Sequence, residues 1–209
     1  MSLWGRVFAG LYDRMLAESE ANGLADLRAG LLAEARGRTL EIGAGTGLNL
    51  RHYPAGVSEL TLAEPEAPMA ARLEKRVRAS GRPGVRVVRA PAEALPFSVA
   101  AFDTVVSTLV LCTVVDPRRA LAEIDRVLAP GGRLLFLEHV RSDDPHRARW
   151  QDRLDPLWRR VGHGCRCNRP TASLIAASPL VLERAEATRI PKAAPIVEPA
   201  IVGSARAAT

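Results

Sequence analysis

The sequence predicts an α/β fold with a doubly wound, largely parallel sheet, and three observations carry that prediction. A short apolar segment at 39–42 runs into glycines at alternate positions, Gly43, Gly45 and Gly47. Through the middle of the chain, apolar runs of strand length alternate with stretches of helical period, the pattern of strand–helix units in a parallel sheet. The 209 residues are 47% hydrophobic and 25% charged, which describes one globular domain with a sizeable core.

The elements follow in order. Leu3, Val7, Phe8, Leu11, Met15 and Leu16 recur at three- and four-residue steps, the period of an amphipathic helix. A second helix is predicted over 21–35, with Leu24, Leu27, Leu31 and Leu32 inward and Gly37 ending it. Residues 1–36 thus form a helical cover ahead of the glycine turn. Leu48, Asn49 and Leu50 can open a helix behind that turn. Glycine serves where a backbone turns sharply or approaches a ligand closely, and a helix N-terminus there would add free N–H groups and a positive dipole end. A strand over 58–62 ends in Ala63-Glu64-Pro65. A helix over 68–79 carries Met69, Leu73 and Val77 on one face, and 80–84 breaks it. The third strand, 85–89, leads into the loop 90–97. The near-continuous apolar run 101–107 fits a buried parallel strand, with Thr108-Leu109-Val110-Leu111-Cys112 at its carboxyl end. Asp116-Pro117 caps and starts a helix through Leu121, Ile124 and Leu128. Ala129-Pro130-Gly131-Gly132 turns into a fifth strand over 133–137, which ends in Glu138-His139. The Arg-, Trp- and His-rich segment 144–168 predicts a helix and an irregular loop over the site, part of a substrate-side insertion at 144–170. A further helix at 171–177 and strands at 181–190 and 196–205 complete the single domain, 1–209.

Charge and cysteine content narrow the function classes. Net charge is +6, and the basic excess is almost all arginine, since the lysines are Lys75 and Lys192 alone. The arginines are scattered, aromatic content is 4%, and no basic block forms, so the charge reads as solvated surface with no nucleic-acid partner. Cys112, Cys165 and Cys167 are too few for a disulfide framework, and C-x-C is not the common zinc spacing. They point to a reducing compartment, and His52, His146 and His163 show no metal-ligand spacing, so no metal is expected. The start lacks a signal-peptide pattern, and no run reaches the ~18–20 apolar residues of a membrane span. A cytoplasmic monomer or homodimer with no membrane anchor is expected.

The chemistry is in the glycine turn. A dinucleotide fingerprint reads G-x-G-x-x-G, whereas residues 41–47 read E-x-G-x-G-x-G. Glu64, about 20 residues further on at a strand end, is placed to accept from the two hydroxyls of a ribose. The 41–47 pattern resembles the first motif of class I S-adenosylmethionine (SAM) methyltransferases. That resemblance implies a Rossmann-like seven-stranded sheet closed by an antiparallel pair, with N-terminal helices over the site. It implies SAM as cofactor, S-adenosylhomocysteine as product, and a small-molecule substrate. Glu41, Gly43, Ala44, Gly45, Gly47 and Asn49 would hold the methionine end, and Glu64 with Pro65 the ribose. Residues 91–97 resemble the adenine loop of the menaquinone/ubiquinone-biosynthesis type, D-A-x-x-L-P-F, with Pro91 where Asp is usual. The Ala92 N–H would then reach the adenine ring and Glu93 supply the missing acceptor. Thr108 and Leu109 would touch the cofactor; Tyr12, Leu111, Cys112 and Cys165 would face the substrate.

A closer resemblance covers nearly the whole chain. Residues 40–49 with His52-Tyr53-Pro54, residues 108–114, 126–132 and 136–140, the stretch Gly164-Cys165-Arg166-Cys167-Asn168-Arg169 and Gly203-Ser204-Ala205 are similar to the thiol S-methyltransferase (methyltransferase-like seven) family. That family methylates alkyl thiols or hydrogen sulfide in animals. Its animal members carry a hydrophobic N-terminal anchor that is not seen here, so a soluble bacterial relative is expected. Methyl transfer from a sulfonium requires the nucleophile held in line with the leaving sulfur. A thiol, with a pKa near 8.5, arrives partly ionised; a hydroxyl would need a general base. His139 is the candidate base, because histidine titrates near neutrality. The preferred acceptor is a thiol or sulfide. An O-, N- or C-methyltransferase of specialised or quinone-type metabolism is the alternative. Arsenite held by Cys112, Cys165 and Cys167, or a non-catalytic SAM-binding module, toward which Pro91 leans, are further ones.

Overall fold

A computed structural model describes residues 3–208. The chain runs through α1 (Leu3–Ser19), α2 (Ala25–Leu32), β1 (Gly37–Ile42), β2 (Val57–Ala63), α3 (Ala67–Ser80), β3 (Val85–Val88) and β4 (Phe102–Thr108). It continues through α4 (Pro117–Val127), β5 (Leu128–His139), α5 (Pro145–Val161), α6 (Thr171–Ala176), β6 (Val181–Arg189) and β7 (Pro199–Arg206). The seven strands form one sheet in the order β3-β2-β1-β4-β5-β7-β6. The first five are parallel, and β7 pairs antiparallel with both β5 and β6. This is the α/β, doubly wound, seven-stranded sheet expected. Its order reverses between β1 and β4, the switch point where such sheets bind ligands outside the strands' carboxyl ends.

Both faces of the sheet are covered because successive strand residues point opposite ways. Leu40, Ile42, Val105, Leu134 and Phe136 pack with Leu121 and Ile124 of α4 and Ile175 of α6. Leu60, Leu62, Val106, Leu135 and Leu137 pack with Leu31 and Leu32 of α2 and Leu73 of α3. The helix ends match local chemistry. Asp116 accepts from the Arg118 and Arg119 N–H groups ahead of α4, and Asp144 does the same for His146 and Arg147 ahead of α5, each with proline in the first turn.

Five features differ from the sequence expectation. Residues Glu20–Leu24 form a π-turn in which Asn22 and Gly23 leave helical geometry, so the second helix starts at Ala25. Gly37 opens β1 instead of closing that helix, at φ 65. No α-helix follows the glycine turn: a single 3-10 turn, Leu50–His52, ends at an extended Tyr53, the conformation a residue before proline prefers. The expected helix-dipole site is therefore not built. β5 starts at Leu128, paired with Phe102, and the 129–132 segment bulges out before Arg133 pairs with Thr104. β7 starts at Pro199, because 190–198 folds back through the Ile190–Glu198 and Val197–Ala194 backbone bonds. The side chain of Leu3 lies outside the described residues. Among the described residues, no helix is long and apolar enough to cross a membrane.

Candidate functional site

β1 ends at Ile42, and the backbone turns left-handed at Gly43 (φ 54) and Gly45 (φ 58). A Cβ on Gly43 would lie 2.6 Å from Val110 Cγ2, so only glycine fits there. At Gly45 a Cβ would project into open space, with nothing nearer than 3.9 Å, where the Tyr12 ring stands. The Gly45 N–H donates to Glu64 Oε2 at 2.8 Å, and the Glu66 N–H donates to Glu64 Oε1 at 2.8 Å. Glu64, at the end of β2, thus locks the turn. Burial raises its pKa, and these two donors oppose the rise.

Glu41 is buried beneath the turn. Its Oε2 accepts from the Tyr53 hydroxyl at 2.7 Å and its Oε1 from Asn49 Nδ2 at 3.0 Å. Asn49 also donates to Thr108 Oγ1 at 3.0 Å and accepts from Arg28 Nη1 at 2.9 Å, and Arg28 pairs with Glu20 at 2.8 Å. Burial pushes the Glu41 pKa up to about 7. From above, Asp13 of α1 accepts from Thr46 Oγ1 at 2.5 Å and pairs with Arg76 of α3 at 2.6 Å. The turn is therefore clamped on both sides.

A cavity of about 550 Å³ opens at the switch point. Gly43, Gly45, Glu64 and Pro65 reach it from the ends of β1 and β2, and Ala92 and Glu93 from the loop after β3. Leu109, Cys112 and His139 reach it from the ends of β4 and β5, Tyr12 from α1, and Cys165 from the loop after α5. The remaining residues singled out from the sequence, Glu41, Ala44, Gly47, Asn49, Thr108 and Leu111, are off its walls. The Glu41 carboxylate is turned away from the cavity, toward Asn49 and Tyr53.

Electrostatics separate the candidates. Burial pushes the His139 pKa down to about 4, and its Nδ1 is buried without a partner, so the ring is neutral at neutral pH. That pKa lies below the ordinary histidine value near neutrality on which the expectation of a base rested. Burial pushes the Tyr12 hydroxyl up to about 12. Glu93 Oε1 accepts from the Val115 N–H at 2.8 Å, which ties up one of its oxygens ahead of α4.

Several residues that shape the cavity were not singled out from the sequence as site residues. Glu138, fully buried, accepts from Ser107 Oγ at 2.6 Å, the Val110 N–H at 3.0 Å and the Cys112 N–H at 3.2 Å. It pins the loop after β4, in which Leu109 takes an unusual φ of 59. A carboxylate closing the apolar run 134–137 was the available signal. Buried Arg169 donates to the Val114 carbonyl at 2.8 Å, and buried Gln151 of α5 donates to the Cys167 carbonyl at 2.7 Å. Phe8 stacks on His163 at 4.9 Å and 16°, joining α1 to the loop after α5 across the cavity. Cys112 Sγ and Cys165 Sγ are 3.8 Å apart, whereas Cys167 Sγ turns to the Gln151 carbonyl at 3.6 Å. A three-cysteine arsenite site is therefore not assembled. Among the described residues, no group of three or more His, Cys, Asp or Glu side chains could hold a metal.

Residues 40–136 match a family model described as a methyltransferase domain. The thiol S-methyltransferase TMT1B of Rattus norvegicus is 38% identical over 135 residues, 63% of this chain and 55% of that protein. The thiol S-methyltransferase TMT1A of Homo sapiens is 29% identical over 201 residues, 95% of this chain and 82% of that protein. The first of these matches spans only about half of the relative's length. The crystal structure of a SAM-dependent methyltransferase from Thermotoga maritima superposes with a TM-score of 0.69 at 24% identity, covering 97% of each chain. That likeness establishes the fold.

Proposed function

We propose, from a chain that carries a methyltransferase domain over residues 40–136, that this protein transfers the methyl group of SAM to a small apolar acceptor, with a thiol or sulfide preferred. The observation that carries the cofactor half is the Gly45–Glu64 pair at the switch point. The bare Gly45 backbone leaves a cradle below Tyr12, and the Glu64 carboxylate stands beside it. These residues fit SAM: Glu64 would hold the ribose hydroxyls, and the backbone at Gly43 and Gly45 the methionine end. Pro65, Ala92, Glu93 and Leu109 would border the remainder. When bound, SAM supplies an electrophilic methyl group on a positively charged sulfur.

The acceptor half is supported by two of the groups that line the cavity. A hydroxyl acceptor needs a base with a pKa near the working pH. His139 is held at about 4 and Tyr12 at about 12, so neither is tuned for that task. A thiol ionises near 8.5 without help. Phe8, Met69, Val110, Val114 and Val197 give the cavity apolar surface suited to an alkyl group. The thiol S-methyltransferases among the relatives favour the same acceptor.

The test is transfer of labelled methyl from SAM to an alkanethiol and to the alkanol of equal chain length. Turnover of the thiol at least ~100-fold faster is expected, the size of a missing general base. Equal turnover of the alkanol contradicts the thiol preference. Bound SAM with no transfer to any acceptor returns the protein to a SAM-binding module.

A further inference from the structure

Cys112, Cys165 and Cys167 share one buried apolar cluster with Val197, packed against Trp158 and Ile196. The proposed methyl transfer uses none of their sulfurs as a nucleophile. Two of the three differ from the third. Cys112 and Cys165 are hydrogen-bonded sulfur to sulfur at 3.8 Å, and both line the cavity, whereas Cys167 is fully buried, off the cavity walls, and bonded to Gln151. The backbones of the pair are fixed to each other: the Arg166 N–H donates to the Cys112 carbonyl at 2.9 Å, and the Cys112 N–H donates to Glu138. Sulfurs so placed need to close by less than about 2 Å to reach a disulfide bond length.

The two thiols are also unequal. The bond between the two sulfurs lowers the Cys165 pKa and raises that of Cys112 well above the ordinary thiol range. Cys165, the less buried of the two, is assigned as the attacking sulfur and Cys112 as the resolving one. Burial pushes Cys167 up to about 12.

The geometry points to a redox-active dithiol in the cavity wall, in which Cys112 and Cys165 close to a reversible disulfide when a small peroxide enters. The Cys165 thiolate attacks one peroxide oxygen; the O–O bond breaks, and hydroxide leaves to recombine with the proton that Cys165 released. This forms a sulfenic acid on Cys165. The Cys112 sulfur then attacks the Cys165 sulfur; the S–O bond breaks, and the departing hydroxide takes the Cys112 proton as water. Two electrons pass from the sulfurs to the peroxide, so two thiols and one hydrogen peroxide give one disulfide and two waters. A small thiol in excess reverses it by exchange. The bond ties the loop after β4 to the loop after α5, both of which wall the cavity.

The test treats reduced, full-length protein with hydrogen peroxide, blocks free thiols, and maps unreduced digests by mass spectrometry. The expected result is a mass loss of two hydrogens, one linked peptide pair joining Cys112 to Cys165, free Cys167, and reversal by dithiothreitol. Cys165 should react at least ~10-fold faster than Cys167. In C112S, Cys165 should stop at a sulfenic acid that dimedone traps; in C165S, no linkage should form. Circular dichroism of both variants confirms folding. A linkage that includes Cys167, or no linkage while Cys167 oxidises as fast as Cys165, overturns the proposal. The readout needs neither SAM nor an acceptor, so it fails or succeeds independently of the methyl-transfer reading of the same cavity.

Discussion

The Gly45 N–H donates to the Glu64 carboxylate across 2.8 Å, and this bond joins the end of β1 to the end of β2 at the rim of the cavity. Hydrogen bonds to a charged group contribute about 1.5–3 kcal/mol. Glu64→Gln keeps the shape and one acceptor but loses the charge. SAM affinity should fall roughly 10- to 100-fold, read by calorimetric titration, and the melting temperature should fall as well, because the amide can accept only one of the two backbone N–H bonds. An unchanged affinity would detach Glu64 from the cofactor.

Gly43 sits at φ 54 with Val110 pressed against the place of its missing Cβ. Gly43→Ala should destabilise the fold by about 1–3 kcal/mol, from backbone strain and displaced packing. Urea unfolding measures this. Gly81→Ala is the control: it shares a positive φ of 63 but has nothing near its Cβ position, and should cost less.

Glu41 gives a stability signature in pH. Its folded pKa, about 7, lies above the ordinary carboxylate value of 4.5. Below 4.5 the folded and unfolded chains are both protonated at this site, and its stabilising contribution is fully present. That contribution is lost as pH rises through 7, on the order of 3 kcal/mol. Glu41→Gln should flatten this part of the stability profile between those limits. A profile with the same slope in the variant would remove Glu41 as its source.

His139 has the opposite sign. Its folded pKa, about 4, lies below the ordinary 6.5, so its contribution is present above 6.5 and lost as pH falls toward 4. Within the working range the ring does not titrate. With a thiol acceptor, the rate should rise with pH toward the acceptor's own ionisation near 8.5, and His139→Gln should keep that limb. A limb near 6.5 that vanishes in the variant would restore His139 as the base.

Much of this architecture was legible in local patterns. The strands, the Asp116 cap and the glycine turn all announce themselves within a few residues, and Glu64 is marked by its place at a strand end. The features that local pattern does not carry depend on distant partners. Glu41 resembles a cofactor contact in the motif, yet Tyr53, Asn49 and Arg28 enclose it from below. The helix expected behind the turn is cut to one 3-10 turn by the extended Tyr53 ahead of Pro54. His139 was visible as a residue, but its depressed pKa comes from burial that no local pattern records. The pairing of Cys112 with Cys165 joins positions 53 residues apart.

The central claim, a SAM site built on Gly45 and Glu64, is tested most directly by isothermal titration of the purified protein with SAM and with S-adenosylhomocysteine, using Glu64→Ala as control. Saturable binding of both, with one site per chain and loss of both in the variant, is the expected result. Absence of binding to well-folded protein would contradict the account.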